Sequence, residues 1–476
     1  MGRLSFWRMI GLACVFCAAG AVGSPGQTFT LLYSFDGTHG AQPNDALVQA
    51  TDGNFYGTSY RGGTNSLGGI FKITPAGTLT TLYNFCAQTG CPDGYWPAAG
   101  LVQGSDGNFY GTTEYGGAMG SGTVFKITPA STLTTLHSFC STNCTDGELP
   151  LPALIQATDG KFYGTTFFGG TDGVGAVFEI TPAGRLTTLF SFDDIDGQLP
   201  FAGLVQATDG NFYGTTTGGG TYGGGTVFQL TRTGTLTTLY RFCAQPACAD
   251  GEMPDAGLVQ ATDGNFYGTT YYGGAYGSGT VFQLTPTGTL NTLHSFDGAD
   301  GSLLYAGLVQ GTDGNFYGTT LAGGANLSCT LGTYVGCGTI FEITPGGTLT
   351  TLHSFDGGEG TLAYGGLLQG TDGNFYGTTW GGGANGDGTV FSLSVGLGRF
   401  VKTLPAFGHV GQRIAILGTN LTGSTSVTFN GAPASFTVVP TGTAIKTTVP
   451  AGATTGFVTV TTPGGVLKSN VKFRVH

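Results

Sequence analysis

Gly257-Leu-Val-Gln-Ala, Asn265-Phe-Tyr-Gly-Thr-Thr, Gly279-Thr-Val-Phe-Gln-Leu-Thr and Thr289-Leu-Asn-Thr-Leu-His-Ser-Phe296 follow one another in one stretch of the chain. Each piece is a short run rich in Val, Thr, Phe and Tyr, and Asp-Gly, Gly-Gly and Pro-x-Gly turns separate the pieces. That is the pattern of four strands joined as a meander. The stretch is not unique. Asp-Gly-Asn-Phe-Tyr-Gly-Thr begins at Asp52, Asp106, Asp209, Asp263, Asp313 and Asp372, and at Asp159 with Lys161 in place of Asn, which makes seven copies 50 to 59 residues apart.

Seven four-stranded units of about 50 residues predict an all-β fold, a seven-bladed β-propeller, because each small sheet can bury both faces only against its neighbours. The last unit stops at Phe391-Ser-Leu-Ser394 without its fourth strand. A spare copy of that strand, Phe29-Thr-Leu-Leu-Tyr-Ser-Phe35, precedes the first unit. The N-terminal strand is therefore expected to complete the last blade, which would leave no free sheet edge.

Composition agrees. Glycine accounts for 90 of 476 residues, charged residues for 9% and hydrophobic residues for 40%. That excludes a long helical protein, in which Gly is costly, and the apolar share is enough for a core. The repeats resemble the GloVer tandem repeat of bacterial exported proteins, and Asp-Gly-Asn-Phe-Tyr-Gly followed by Gly-Thr-Val-Phe-x-Ile-Thr-Pro-x-Gly also resembles the blades of NHL-type and two-component-regulator propellers. The resemblance spans residues 29 to 395. It implies the fold and carries no activity onto these positions.

After Gly396-Leu-Gly398 the pattern changes. Val410-Gly-Gln-Arg-Ile-Ala-Ile-Leu-Gly-Thr-Asn-Leu421, Ser426-Val-Thr-Phe-Asn-Gly-Ala-Pro-Ala-Ser-Phe436 and Val458-Thr-Val-Thr-Thr-Pro-Gly-Gly465 read as a small β-sandwich, with a hairpin at Asn430-Gly431. The segment resembles the IPT/TIG immunoglobulin-like domain, which implies a spacer or interaction module. The expected domains are a signal peptide at 1–23, the propeller at 24–395 and the sandwich at 396–476.

Arg3 and Arg8, the apolar run Met9–Val22 and Ala21-Val22-Gly23 have the order of a secretory signal. Export, to the medium or the cell surface, is the expectation. The run is short for a membrane span. Beyond Cys14 and Cys17 inside that run, eight cysteines form four close pairs: Cys86 with Cys91, Cys140 with Cys144, Cys243 with Cys248 and Cys329 with Cys337. In an exported chain these read as disulfides rather than zinc ligands. No metal and no cofactor is expected.

All 27 acidic residues lie between residues 36 and 387, with seven basic ones, and the last 81 residues hold seven basic residues and no acid. So acidic a main domain does not suit nucleic-acid binding. The contrast suits two independently solvated surfaces, mutual attraction of the domains, or attraction of the small domain to an acidic surface such as an anionic polysaccharide.

No nucleophile, metalloprotease or phosphate-loop motif is present, and no catalytic residue is expected. The repeated Asp of Asp-Gly-Asn is read as a turn residue. A second acidic series lies in the loop leading into each unit: Asp93, Asp146, Asp196, Asp250, Asp300 and Glu359, with His39-Gly40 in the first. Aromatic residues vary on the loops expected to share that end of the sheets, among them Tyr60, Trp96, Tyr115, Phe168, Tyr272, Tyr305 and Trp380, with Phe201 and Tyr364. Rings beside carboxylates suit sugar faces or peptide side chains. His137, His294 and His353 share a fourth-strand position with Tyr33, Tyr83, Phe190 and Tyr240 and are read as packing residues. These features point to a monomeric, non-enzymatic binding or scaffold protein whose loop face recognises a glycan or an extracellular protein. The alternatives are a lyase or glycosidase with carboxylates at the channel mouth, and a structural envelope component.

Overall fold

The computed structural model describes residues 27–141 and 143–476. The expected signal peptide, with Cys14 and Cys17, lies outside the described residues. The protein is all-β apart from one 3-10 turn, Pro246–Cys248, among the described residues. No helix there is long and apolar enough to cross a membrane.

The first six repeats are each a four-stranded antiparallel sheet in chain order. The fifth consists of Val259–Gln260, Phe266–Thr270, Thr280–Leu284 and Leu290–Ser295. Its second strand is buried at every position, because both of its faces are covered, and it therefore reads as a continuous run rather than an alternation. Gly268 stands where that strand passes beneath a phenyl ring. A Cβ there would lie 2.6 Å from Phe282 Cζ and 2.9 Å from Leu258 Cδ2.

The seventh sheet has the order Thr28–Ser34, Thr389–Ser394, Phe375–Thr379, Leu368–Gln369. Leu31 pairs with Phe391 and Thr28 with Ser394, antiparallel, with a bulge between Leu31 and Tyr33.

Three contacts recur from sheet to sheet. The buried tyrosine of one second strand stacks on the phenylalanine of the next, as in Tyr267–Phe316 at 4.0 Å. A second-strand threonine donates to a carbonyl of the next lead-in loop, as Thr269 Oγ1 does to Ala306 O at 3.1 Å. A glutamine Oε1 accepts from a turn N–H of the preceding sheet, as Gln310 does from Thr262 N. All three also link the seventh sheet to the first: Tyr376 stacks on Phe55 at 4.0 Å, Thr378 Oγ1 donates to Asp45 O at 3.1 Å, and Thr371 N donates to Gln49 Oε1 at 3.0 Å.

The repeated Asp is a turn residue with a second duty. Asp263 Oδ1 accepts from Asn265 N, and Oδ2 accepts from the Tyr267 hydroxyl at 2.9 Å. Gly264, at φ +89° in that turn, takes a backbone conformation that suits glycine.

The four expected cystine pairs are formed. Three brace lead-in loops, and Cys329–Cys337 braces the loop between the second and third strands of the sixth sheet.

The C-terminal segment is a sandwich. Val401–Leu404, Arg413–Gly418, Ala444–Thr448 and Phe436–Val438 form one sheet, and Ala432–Pro433, Ser426–Phe429, Val458–Thr462 and Gly465–Lys468 the other. Val401, Ile416, Val427, Phe429 and Val458 fill the core between them. The Asn430-Gly431 hairpin forms with both residues at positive φ, as a two-residue turn of that type requires.

In a meander, successive connections lie at opposite ends of the sheet. The sandwich meets the turns between first and second strands. Thr443 Oγ1 donates to Thr51 O, Phe400 N to Thr371 O, and the Arg474 guanidinium to Ala207 O and Gln206 O. The opposite end carries the lead-in loops. Among the described residues no salt bridge joins the two domains; their contact includes these hydrogen bonds to the backbone, a hydroxyl pair between Thr371 and Thr419 at 2.9 Å and the attraction of Arg474 to Asp209.

Candidate functional site

The six lead-in acids do not converge on one point. Five of them bind back to the fourth strand that precedes their own loop. Tyr83 donates to Asp93 at 2.9 Å and Tyr240 to Asp250 at 2.8 Å. His137 bonds Asp146 at 3.0 Å, His294 bonds Asp300 at 2.6 Å and His353 bonds Glu359 at 2.9 Å. Asp250 is fully buried and also accepts from the N–H groups of Ala244 and Gln245. The sixth acid, and the one unit without an acid, depart for chemical reasons. Phe190 has no donor, and Asp196 makes no such bond. Tyr33 faces a loop that has His39 in place of an acid, and His39 bonds Asp36 instead. The acidic series and the His/Tyr series are therefore two halves of one loop-locking contact. Asp250 and Asp300, which as carboxylates of a glycosidase would have to act together, are each held in a different loop by a different partner.

Residues from all seven units instead line a cavity of about 270 Å³ at the lead-in end. Its ring is the position two after a residue with positive φ. Gln42, Trp96, Leu149, Leu199, Met253, Leu303 and Leu362 all have φ between 53° and 62°, which is costly for a side chain with a Cβ. Two hydrogen bonds fix six of these turns in place, as when Met253 N donates to Gly224 O while Met253 O accepts from Tyr271 N; in the seventh, Leu362 O likewise accepts from Trp380 N. The turn presents, in successive units, Asn44, Ala98, Leu151, Phe201, Asp255, Tyr305 and Tyr364 to the cavity. Asp45 lines it too.

Of the residues singled out in the sequence, Tyr305, with Phe201 and Tyr364, lies in this ring. Tyr305 meets Tyr364 edge-on at 4.7 Å and Phe201 at 5.2 Å. Trp380 stands beside Tyr364 at 6.1 Å. Tyr60, Trp96 and Tyr115 form a separate cluster on the first two units. There the Tyr60 hydroxyl donates to Glu114 Oε2 at 2.7 Å and the Arg61 guanidinium sits 5.1 Å from the Trp96 ring. Trp96 occupies one of the left-handed positions, and its Nε1 is buried without a partner. Phe168 is exposed and packs on Phe167. Tyr272 packs on Tyr271.

Asp255 and Asp45 were missed by reasoning from the acidic series. The signal was present: with the seven lead-in loops set side by side, this position, among several that vary there, runs Asn, Ala, Leu, Phe, Asp, Tyr, Tyr. Asp255 is 9% exposed, and its Oδ1 is sealed from solvent with no hydrogen-bond partner. Burial pushes its carboxyl up to about 7, and the nearby Thr217 hydroxyl offsets only part of that. Burial also raises Asp45, against the two backbone N–H groups it accepts from, Gly100 and Ala46, each at 2.6 Å. Burial, with Asp255, Tyr364 and Asp45 nearby, drives the Tyr305 phenol far above its ordinary range. No lysine, arginine or histidine lines the cavity among the described residues.

Cys243, Cys248 and Glu252 also lie close together. The two sulfurs are joined in a disulfide, so neither is the thiolate that a metal would need.

No curated protein matches the chain. A fungal alcohol oxidase solved in complex with copper superposes with a TM-score of 0.53 at 14% identity, covering 95% of this chain and 100% of that one. A Dyadobacter fermentans protein of unknown function superposes with a TM-score of 0.42 at 11% identity, covering 78% and 99%. The first of these likenesses concerns the fold alone. The IPT/TIG domain model matches residues 400–475. The Gloeobacter/Verrucomicrobia repeat model matches residues 21–157 and 141–331, and the chain belongs to that repeat family.

Proposed function

We propose that the seven sheets are the blades of a closed seven-bladed propeller and that the protein is an exported binding module rather than an enzyme. Pairing of Thr28–Ser34 with Thr389–Ser394 supports closure, as do the Tyr376–Phe55 stack and the Thr371–Gln49 hydrogen bond. Four disulfides support residence in an oxidising compartment. On this reading the cavity is the axial mouth of the propeller, and the IPT/TIG domain closes on the opposite end as a dock or spacer.

The observation that carries the binding role is the ring itself. Seven units keep their strands nearly constant and differ in their lead-in loops, including at the position that each presents to the cavity. Three of those seven side chains are aromatic, and Asp255 brings a polar atom with no partner. A concave site with rings and a few convergent polar groups suits an end of a glycan or a side chain of an extracellular protein. A glycan array and a panel of extracellular proteins test this. Binding that Tyr305→Ala and Tyr364→Ala abolish, with the fold intact, is the expected result. Binding unchanged in both variants would move the site elsewhere.

One observation favours a second reading. Asp255, a carboxyl near neutrality, and Asp45 line the same cavity, and such groups are suited to proton transfer. Turnover of a bound glycan that disappears in Asp255→Asn while binding persists would favour a glycosidase or lyase.

A further inference from the structure

The cavity has a chemical peculiarity that a neutral ligand leaves unanswered. Two carboxyl groups, Asp45 and Asp255, sit in its wall, and no basic side chain lines it among the described residues. Asp45 has local partners in the N–H groups of Gly100 and Ala46. Asp255 has no such set: its Oδ1 is buried and unpaired while the residue borders the cavity. Burying a charge without a partner is expensive, and folding alone does not require this one. The equivalent positions hold Ala98, Leu151 and Phe201 in sister units of the same backbone.

The neighbours of Asp255 are aromatic. Tyr305 stands nearly perpendicular to Tyr364, at 89°, and at 70° to Phe201. Tyr271 meets Tyr305 at 6.3 Å and interacts electrostatically with Asp255. Rings at steep angles around one space present faces and edges to it from several directions. Ring faces attract cations, and attract them most strongly when the cation is desolvated. A buried carboxylate at the side of such a box supplies the counter-charge.

We propose that the cavity binds an organic ammonium group, a protonated or methylated amine carried by a larger ligand. The group would sit among Phe201, Tyr305 and Tyr364 with Asp255 as its counter-ion. This rests on the cavity being the binding site, and it adds the charge and size of the group recognised. A glycan with free amino groups and a protein or small molecule with an alkylammonium group carry the same chemistry.

The groups facing Asp255 fix the expected pH dependence. Thr217, Tyr271 and Tyr305 stay neutral below pH 10, and Asp45 is a second buried acid, already held by two backbone N–H groups. Only ionised Asp255 balances an ammonium group. With its carboxyl at about 7 in the empty site, affinity rises as pH goes from 5.5 to 8.

Isothermal titration of the full chain with choline, and with its uncharged isostere 3,3-dimethylbutan-1-ol, tests the proposal. Choline is expected to bind at least tenfold more tightly than the alcohol at pH 8, and at least tenfold more weakly at pH 5.5 than at pH 8. Asp255→Asn is expected to remove both preferences while thermal unfolding shows the fold intact. A glucosamine tetramer compared with its N-acetylated form separates the sugar source from the alkylammonium source. Equal binding of choline and the alcohol, or of both tetramers with choline silent, overturns the proposal. If neutral glycans or proteins still bind in a Tyr305-dependent way, the cavity remains a binding site for a neutral group. If nothing binds there, the binding role falls with the proposal. The choline comparison on the native chain stands even if the variant fails to fold.

Discussion

Tyr376 stacks on Phe55 with ring centroids 4.0 Å apart, so the last and first repeats meet through the contact that joins every neighbouring pair between them. The equivalent interior stacks, such as Tyr213–Phe266 at 4.1 Å, have the same geometry. If the ends meet in solution, Phe55→Ala and Phe266→Ala should cost alike, about 3–5 kcal/mol each, the usual effect of truncating a buried phenylalanine. An open array would make the terminal substitution much the milder of the two, because only an end unit would loosen. Chemical denaturation of both variants distinguishes these cases.

The strand pattern, the unit length and the spare N-terminal strand were legible because each depends on local periodicity, and the cysteine pairs because each is close in sequence. The pairing of Asp250 with Tyr240 was legible in principle. In five units an acid follows a tyrosine or histidine of the preceding strand, and Phe190 and His39 mark the units where one half is missing. What hid the cavity was backbone direction. A left-handed residue such as Met253, φ 55°, turns the chain so that Asp255 faces inward while the conspicuous acid of the same loop, Asp250, faces its own strand. Sequence spacing does not report that turn when the residue making it is not glycine. The same turn took Trp96 from the expected ligand face into packing with Tyr60, Tyr95 and Tyr115.

Gly268 tests the close packing beneath the ring of Phe282. A methyl group there would stand 2.6 Å from Phe282 Cζ, and the ring is fully buried. Gly268→Ala should therefore destabilise by about 1–3 kcal/mol through overpacking. Gly264→Ala leaves open space around the new methyl and strains only the turn, at φ +89°. The first variant should lose packing-dependent near-ultraviolet circular dichroism as well as stability, whereas the second should keep that signal.

His294 should control the titration of Asp300. Burial alone would raise this carboxyl, but hydrogen bonds from His294 and the Asp297 N–H, with the His294 charge, hold it below its ordinary value. A carboxyl depressed in the folded state stabilises the fold above its unfolded value, and that contribution disappears as pH falls through the folded value. His294→Phe puts at this position the ring that Phe190 presents to Asp196, whose carboxyl is raised by burial and by Asp193 despite Arg241 and a hydrogen bond from Thr238. In the variant Asp300 should titrate above the ordinary carboxylate range in a carbon-13 NMR pH series. An unchanged titration would mean that the imidazole is not its main partner.

Asp255 should work against stability at neutral pH. Its carboxyl is near 7 in the folded chain and near 4 in an unfolded one. A raised carboxyl favours the protonated form, so the unfavourable contribution is absent below about pH 4, grows as pH rises towards 7 and is constant above it. Asp255→Asn removes the ionised form while preserving size and polarity. It should stabilise the protein at pH 8 by roughly 1–4 kcal/mol, because each tenfold difference in acidity between the folded and unfolded chain is worth about 1.4 kcal/mol, and should change little at pH 4. Thermal unfolding at the two pH values measures this directly. A gain confined to high pH marks a side chain retained at the expense of the fold, as expected of a group kept for a ligand. A loss at both pH values would instead make Asp255 a structural residue with a partner that it finds within the protein.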